Sequence, residues 1–359
     1  MFVAWRDIRF AKGRFLLIGT VVTLITLLVG FLSGLTAGLA NQNISVIQQL
    51  DADRIVFSEP ADGAEMSYGD SELTRDTADG WEDSPGIGTV NPIGISQTKA
   101  SGQAQASVAL FGVQPGYSGD APAGTGKLVL SQAAAADLDA ASGDSIRIAD
   151  AEFTVEAVTG DAWYSHTPVI WMNLEDWQDY ETRTGSPDAF ATVLAVTAAT
   201  GGSSTDFDAL DKQAETTSTT VLGSLTAIGS FRSEIGSLLM MVVMLFGISA
   251  LAIGAFFTVW TIQRRGDVAV LKALGASNSA LIRDALGQAL IVLLLGVGTG
   301  IGLTAALGAL AGTALPFVLS PFTTLLPACA MIALGLAGAA FALRSVTTAD
   351  PLTALGSNR

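Results

Sequence analysis

The chain has 359 residues, half of them hydrophobic and only 14% charged, with 39 glycines and a formal net charge of −15. That composition, with a positive mean hydropathy, argues against an ordinary soluble domain and fits a membrane protein. A single histidine, His166, rules out a histidine-based triad or a multi-histidine metal centre, and a single cysteine, Cys329, rules out an intrachain disulfide.

Residues 1–14 carry Arg6, Arg9, Lys12 and Arg14 and read as a cytoplasmic amphipathic helix. From Phe15 to Leu50 there is no charged side chain, and a first transmembrane helix is expected over 15–40. A cleaved signal peptide ending at Gly38-Leu39-Ala40 is the competing reading, but the uncharged run exceeds a typical h-region.

Residues 41–230 have the pattern of an α+β domain. Alternation predicts strands over Thr89–Lys99 and Ala104–Val113, a hairpin from Ser145–Ile148 and Phe153–Val158, and a strand over Val169–Met172. Ser131 is expected to cap a helix over Gln132–Ala141 stopped at Gly143, and Asn173 one over Leu174–Tyr180. The acidic stretch Asp62–Asp83 reads as a surface loop or flap, and Asp206–Leu222 as a helix.

A second span is expected at 231–263, within which Ile235–Gln263 is uncharged. A cytoplasmic helix follows at 264–284. The charge-free run Ala285–Leu343 is nearly twice the length of one span and holds Pro316, Pro321 and Pro327 near its middle, so it reads as a hairpin: span three at 285–311, a loop at 312–323, span four at 324–343. Residues 344–359 form a tail. Cys329, in span four, reads as a small buried hydrophobe.

Lys and Arg placement sets the orientation. The segments 1–14, 264–284 and 344–359 hold ten of the 18 basic residues and four of the 33 acidic ones, a net of +6, which leaves −21 between spans one and two. Both termini are therefore expected in the cytoplasm and the α+β domain outside the cell membrane. Four helices make a thin wall for a polar pathway, so at least a homodimer is expected. No fixed repeat or pair of similar halves suggests an inverted-repeat transporter.

The segment after span two, Gln263-Arg-Arg-Gly-Asp-Val-Ala-Val-Leu-Lys-Ala-Leu-Gly-Ala-Ser277, is a short amphipathic helix with Val268, Leu271 and Leu274 on one stripe. On physics alone it is as well suited to lie on lipid headgroups. This segment resembles the stretch that follows the second span in FtsX-like, MacB-type ABC transporter permeases, with Asp267 where the family usually has Glu. WRDIRFAKGRF at the start, RSVTTADPLTALGSNR at the end and KLVLSQAAAADLDAASGDSIRIADAEFTVEAVTGD in the outer domain resemble the same family. The resemblance implies that Arg264, Arg265, Asp267, Leu271, Lys272, Leu274 and Gly275 dock a separate ATPase subunit, two copies of which serve a permease dimer. ATP is then used by that partner, and this chain is no enzyme. No G-x-x-x-x-G-K-[ST] occurs. Gly124-Thr-Gly-Lys127 is a decoy, with Leu128 in place of the Mg²⁺-binding hydroxyl, and is expected to be a turn into a strand.

Glu234 is the last charge before span two, where an ionisable group is costly unless used, although the macrodipole at a helix start also favours a carboxylate. Phe231, Leu238 and Met241 share its helical face, with Arg232, Met240 and Met244 adjacent. A carboxylate, thioethers, an aromatic and a cation suit a flat, anionic metal macrocycle, and core packing explains the methionines equally. The compact size and lone outer domain are, within the family, similar to permeases that export haem. The resemblance thus implies haem as cargo, with Glu234 as iron ligand and Arg232 on a propionate. No intrinsic cofactor, no further metal and no nucleic-acid partner are expected. His166, within Trp163-Tyr-Ser-His, is a possible ligand for a planar molecule and otherwise a core-edge side chain. The rivals within the family are a mechanotransmitter that regulates an extracellular cell-wall hydrolase and an exporter of antimicrobial peptides or other lipophilic cargo. The glycines at spacing four in span one (Gly30, Gly34, Gly38) and those of span three (Gly296, Gly298, Gly300, Gly302) are expected to serve packing within the subunit.

Overall fold

The computed structural model describes residues 12–117, 120–199, 205–263, 266, 270, 272, 274–312 and 315–347. The chain divides into two units, Leu39–Gly236 and a helical unit made of the segments on either side. Helix α1, Lys12–Gln48, continues past the expected end at Ala40 because Ile44, Val46 and Ile47 are buried in the core of the first of these units.

That unit is a mixed sheet with helices. Its elements in order are β1 (Arg54–Ser58), α2 (Arg75–Glu82), β2 (Ile87–Ser101), β3 (Gln105–Val113), β4 (Lys127–Ser131), α3 (Gln132–Leu138), β5 (Ser145–Ile148), β6 (Ala151–Thr159), β7 (Trp163–Tyr164), β8 (Thr167–Asn173), α4 (Leu174–Thr184), β9 (Val193–Ala198), α5 (Phe207–Ala214) and β10 (Thr216–Thr219). The strand order is β10-β1-β9-β2-β3-β8-β4-β6-β5, with β7 on β8. An extra pairing of Ala100 and Ser101 with Ile148 and Arg147 joins β5 back to β2, so the six strands from β2 to β5 along this path close on themselves. Closure removes exposed edges, which are otherwise a liability. Two pairings, β3–β8 and β4–β6, are parallel.

Ser131 and Asn173 cap α3 and α4 as expected, accepting from the backbone N–H of Ala134 and Glu175. Helix α3 stops at Leu138, short of the expected Ala141, because Asp139 turns left-handed at φ 48°. Lys127 opens β4 after Gly126 at φ +72°, the turn into a strand read from the decoy motif.

Two expectations are corrected. The stretch 62–83 is no flap: it contains α2, capped by Thr74, and it buries Tyr68, Leu73, Ala78 and Trp81. Its aromatics are few but each sits in a core, Trp81 stacked on Phe207, so low apolar content concealed a fixed segment. The stretch 206–222 is no continuous helix: α5 ends at Glu215, at φ 52°, and the chain returns as β10 against β1. The three β-branched threonines of Thr216–Thr219 suit that extended path.

The remaining helices are α6 (Gly229–Gln263), α7 (Asn278–Ala311) and α8 (Pro321–Thr347). With α1 they make four helices long and apolar enough to span a membrane. Within the helical unit, Val22, Val29, Ile253, Phe257, Leu293, Val297 and Met331 form a common core. The glycine stripe is interhelical, as a Cβ at Gly30 would lie 2.8 Å from Thr304 and one at Gly300 2.6 Å from Thr26. Gly38 leaves room for the carbonyl of Pro316 and Gly296 for Val22. Gly298 and Gly302 meet nothing and play no such part. Hydroxyls inside the helices return to the carbonyl four residues back, as in Ser249 to Leu245, Thr261 to Phe257 and Thr304 to Gly300, which keeps these hydroxyls paired in an apolar surrounding; the buried Thr26 hydroxyl is an exception. Pro327 lies inside α8, and Cys329 is exposed rather than buried: it faces away from the shared core.

The placement of Trp81 is testable. Trp81→Ala is expected to cost about 3–5 kcal/mol of sheet-domain stability, read as a lower midpoint in urea unfolding followed by tryptophan fluorescence. A flap would lose almost nothing.

Candidate functional site

The polar groups that cluster at the candidate site come from three places in the Leu39–Gly236 unit: the last turns of α1, the β7–β8 hairpin and the first turns of α6. Ile228 and Phe231 belong to the same apolar core as Ile44 and Ile47. Two helix ends are thereby fixed beside each other, and Asn43 on one comes within reach of Glu234 on the other.

Asn43 is fully buried. Its Nδ2 donates to Glu234 Oε2 at 3.1 Å and lies 2.9 Å from His166 Nε2. Its Oδ1 accepts from the Ser230 hydroxyl at 2.6 Å, and Ser230 in turn lies 2.8 Å from the Ser165 hydroxyl. His166 Nε2 is 3.0 Å and 3.2 Å from the two carboxylate oxygens of Glu234. Both side chains are 36% exposed, so the pair sits at the edge of the core with one side open.

The backbone of the hairpin tip is also tied down. The N–H groups of Ser165 and His166 donate to the carbonyls of Asn43 and Gln42 at 3.0 and 2.9 Å, and the Trp163 N–H donates to Ser45 Oγ at 2.8 Å. Behind the tip Tyr164 packs edge-on to Tyr68 and Phe111. Burial pushes both tyrosine hydroxyls well above their usual acidity range, so at ordinary pH they are neutral packing groups. A separate polar cavity of about 330 Å³ lies between Ser96, Glu181 and Tyr68. Ser96 donates to Glu181 there and accepts from Trp177 Nε1 at 2.8 Å, so those groups satisfy one another.

The residues expected from the sequence separate. Glu234 is at the junction. Phe231 is buried in the core of the sheet domain, which corrects its assignment to an open ligand-facing surface: three residues from Glu234, it turns inward with Ile228. Arg232 is engaged by Glu65 in an ion pair, away from the Glu234 cluster. Further along α6, Leu238 is half-buried, while Met240 and Met244 are strongly exposed and Met241 is 48% exposed. His166, weighed in the sequence as a core-edge residue, proves to be the direct partner of Glu234. Asn43, Ser165 and Ser230 were missed. Asn43 stands in the run Asn41-Gln42-Asn43, and no spacing rule separates the amide that turns inward from its neighbours.

Of the expected docking residues, Arg264, Arg265, Asp267 and Leu271 lie outside the described residues. Lys272 is half-buried, Leu274 is 79% exposed, and Gly275 turns the chain at φ +94°. Residues 1–11 of the expected N-terminal amphipathic helix and 348–359 of the expected tail also lie outside the described residues, while 12–14 open α1 and 344–347 close α8.

Known proteins supply the context. Residues 239–351 match the family model for the FtsX-like permease C-terminal domain. Over 365 residues the chain is 26% identical to a Staphylococcus haemolyticus protein named as a candidate hemin transport system permease, HrtB, covering 99% of each. A Staphylococcus epidermidis protein of the same name is 24% identical over 370 residues, with both chains fully covered. Among solved structures, the periplasmic region of MacB from Actinobacillus actinomycetemcomitans aligns with 51% of this chain and 95% of its own at 13% identity and a TM-score of 0.37. The extracellular domain of the ABC-type transporter YknZ from Gram-positive bacteria aligns with 45% and 89% at 15% identity and a TM-score of 0.33. Four apolar helices, a mixed-sheet domain between the first and second, and the match to the FtsX-like permease C-terminal domain at 239–351 together make the chain similar to membrane permeases of the FtsX-like type.

Proposed function

We propose that this permease exports haem from the membrane, driven by a separate ABC ATPase. The observation that carries the reading is Glu234, a half-exposed carboxylate on the first turns of α6 whose following turns present Met240, Met241 and Met244. Ferric haem offers a Lewis-acidic iron for a carboxylate and a large apolar ring for thioethers and aliphatic side chains. Likeness to the two staphylococcal proteins over the full chain supports haem as the cargo. Arg232, already paired with Glu65, would have to exchange that exposed partner for a propionate, at little cost because exposed pairs contribute about 0–1 kcal/mol.

The reading places both termini in the cytoplasm and the sheet domain outside. It also takes the working unit as a homodimer with two ATPase copies. Of the four spans, α6 is the least covered within the chain. Its side chains Leu239, Val243, Ile248 and Leu251 are apolar and exposed, which suits a second copy of this helix or lipid. The exposed Leu274, followed by the left-handed Gly275, suits an apolar slot on the ATPase.

Two measurements check this. Hemin added to the purified permease–ATPase complex is expected to give a Soret shift that Glu234→Ala weakens about tenfold or more, the loss of a charge-assisted ligand. A wild-type complex without a shift would remove haem as the cargo. Leu274→Asp is expected to leave that shift intact while uncoupling the ATPase, seen as loss of hemin-stimulated ATP hydrolysis. Unchanged stimulation would exclude Leu274 from the docking surface.

A further inference from the structure

The β7–β8 hairpin turns through two residues, Ser165 and His166, between the pairs Tyr164–Thr167 and Trp163–Pro168. Turns of this length take left-handed backbone and are normally built from Asn and Gly. Here neither residue is glycine, yet both are left-handed, at φ 49° and 63°. A backbone of that kind persists only when its surroundings hold it, and it clusters at ligand clamps and switches. What holds it is the α1–α6 junction: two backbone bonds to α1, the Ser165–Ser230 contact, and the imidazole against Glu234 and Asn43.

The side-chain end of this clasp is in polar conflict. His166 Nε2 lies within hydrogen-bond distance of Asn43 Nδ2 and of both Glu234 oxygens. If Nε2 carries a proton it donates to the carboxylate and opposes the amide N–H. If it is bare it accepts from the amide and opposes the carboxylate. Turning the Asn43 amide over only sets its oxygen against Glu234. Every assignment with an ionised Glu234 leaves one of the three contacts opposed, so the closed arrangement is held less firmly than the distances suggest.

The geometry points to His166 as a displaceable cap on Glu234. In the empty protein the imidazole covers the carboxylate, and the cationic centre of the cargo takes the carboxylate by displacing the ring. This inference rests on the haem reading for the identity of that centre. A porphyrin fills the four equatorial positions of its iron. Two donors 3.0 Å apart, on the same side, therefore compete for one axial position and cannot share it. The proposal makes His166 a positioning residue, which sets when Glu234 is available, and leaves Glu234 as the ligand.

The test compares hemin titrations of the wild-type permease–ATPase complex with those of His166→Ala and His166→Gln. His166→Ala is expected to bind hemin about tenfold tighter, the worth of one charge-assisted hydrogen bond no longer to be displaced. Its absorption and electron paramagnetic resonance spectra should match wild type, because the axial ligand is unchanged. His166→Gln, which restores a donor over the carboxylate, should return the affinity towards wild type. Weaker binding or altered spectra in His166→Ala would make the imidazole an iron ligand and overturn the cap, as would unchanged affinity. A second arm needs no cargo: Glu234→Ala should speed amide exchange at Ser165 and His166 about tenfold by releasing the clasp. Unchanged exchange overturns the cap whatever the cargo is. A wild-type complex that ignores hemin but shows the faster exchange overturns the haem reading alone.

Discussion

Much of the candidate site depends on one constraint: α1 does not stop where its membrane-length apolar run would allow. A span of about 30 Å needs some 20 residues, and α1 has 37. The surplus turns carry Ile44, Val46 and Ile47 into the core that also holds Ile228 and Phe231 from the start of α6. Once those apolar side chains are buried, Asn43 is buried with them. A buried amide must find partners or lose about 1–3 kcal/mol. It finds Ser230, Glu234 and His166, and so draws three separate parts of the chain to one point.

The helical unit is governed by a different requirement. In hydrocarbon, helices gain little from burying one another's leucines, so close approach depends on small side chains and on hydroxyls that stay paired. Gly30 against Thr304, Gly300 against Thr26 and Gly296 against Val22 meet the first need. The i to i−4 bonds of Ser249, Thr261 and Thr304 meet the second. Helix α6 stands apart, because its apolar face of Leu239, Val243 and Leu251 stays uncovered within the chain.

Secondary structure was legible where a local signal was strong. The caps Ser131 and Asn173, the hairpin of β5 and β6 and the long strands β2 and β3 follow from residue chemistry and period alone. It failed where tertiary packing overrode composition. Trp81 turns an acidic stretch into a fixed helix by finding Phe207, far along the chain, and β10 leaves a helical pattern because β1 offers it a ladder. The closure of β5 onto β2 had no signature at all, since register across such a distance is set by the twist of the whole sheet.

The sequence by itself determined the membrane class, the four apolar helices and the place of the sheet domain between the first and second, because uncharged length is a property of the chain read in order. It also singled out Glu234 as a carboxylate at the start of an uncharged helix. The tertiary structure alone decided what that carboxylate meets. His166 is 68 residues away and Asn43 191, and their meeting depends on how the hairpin tip and two helix ends pack. No period or spacing within the chain encodes such long-range packing.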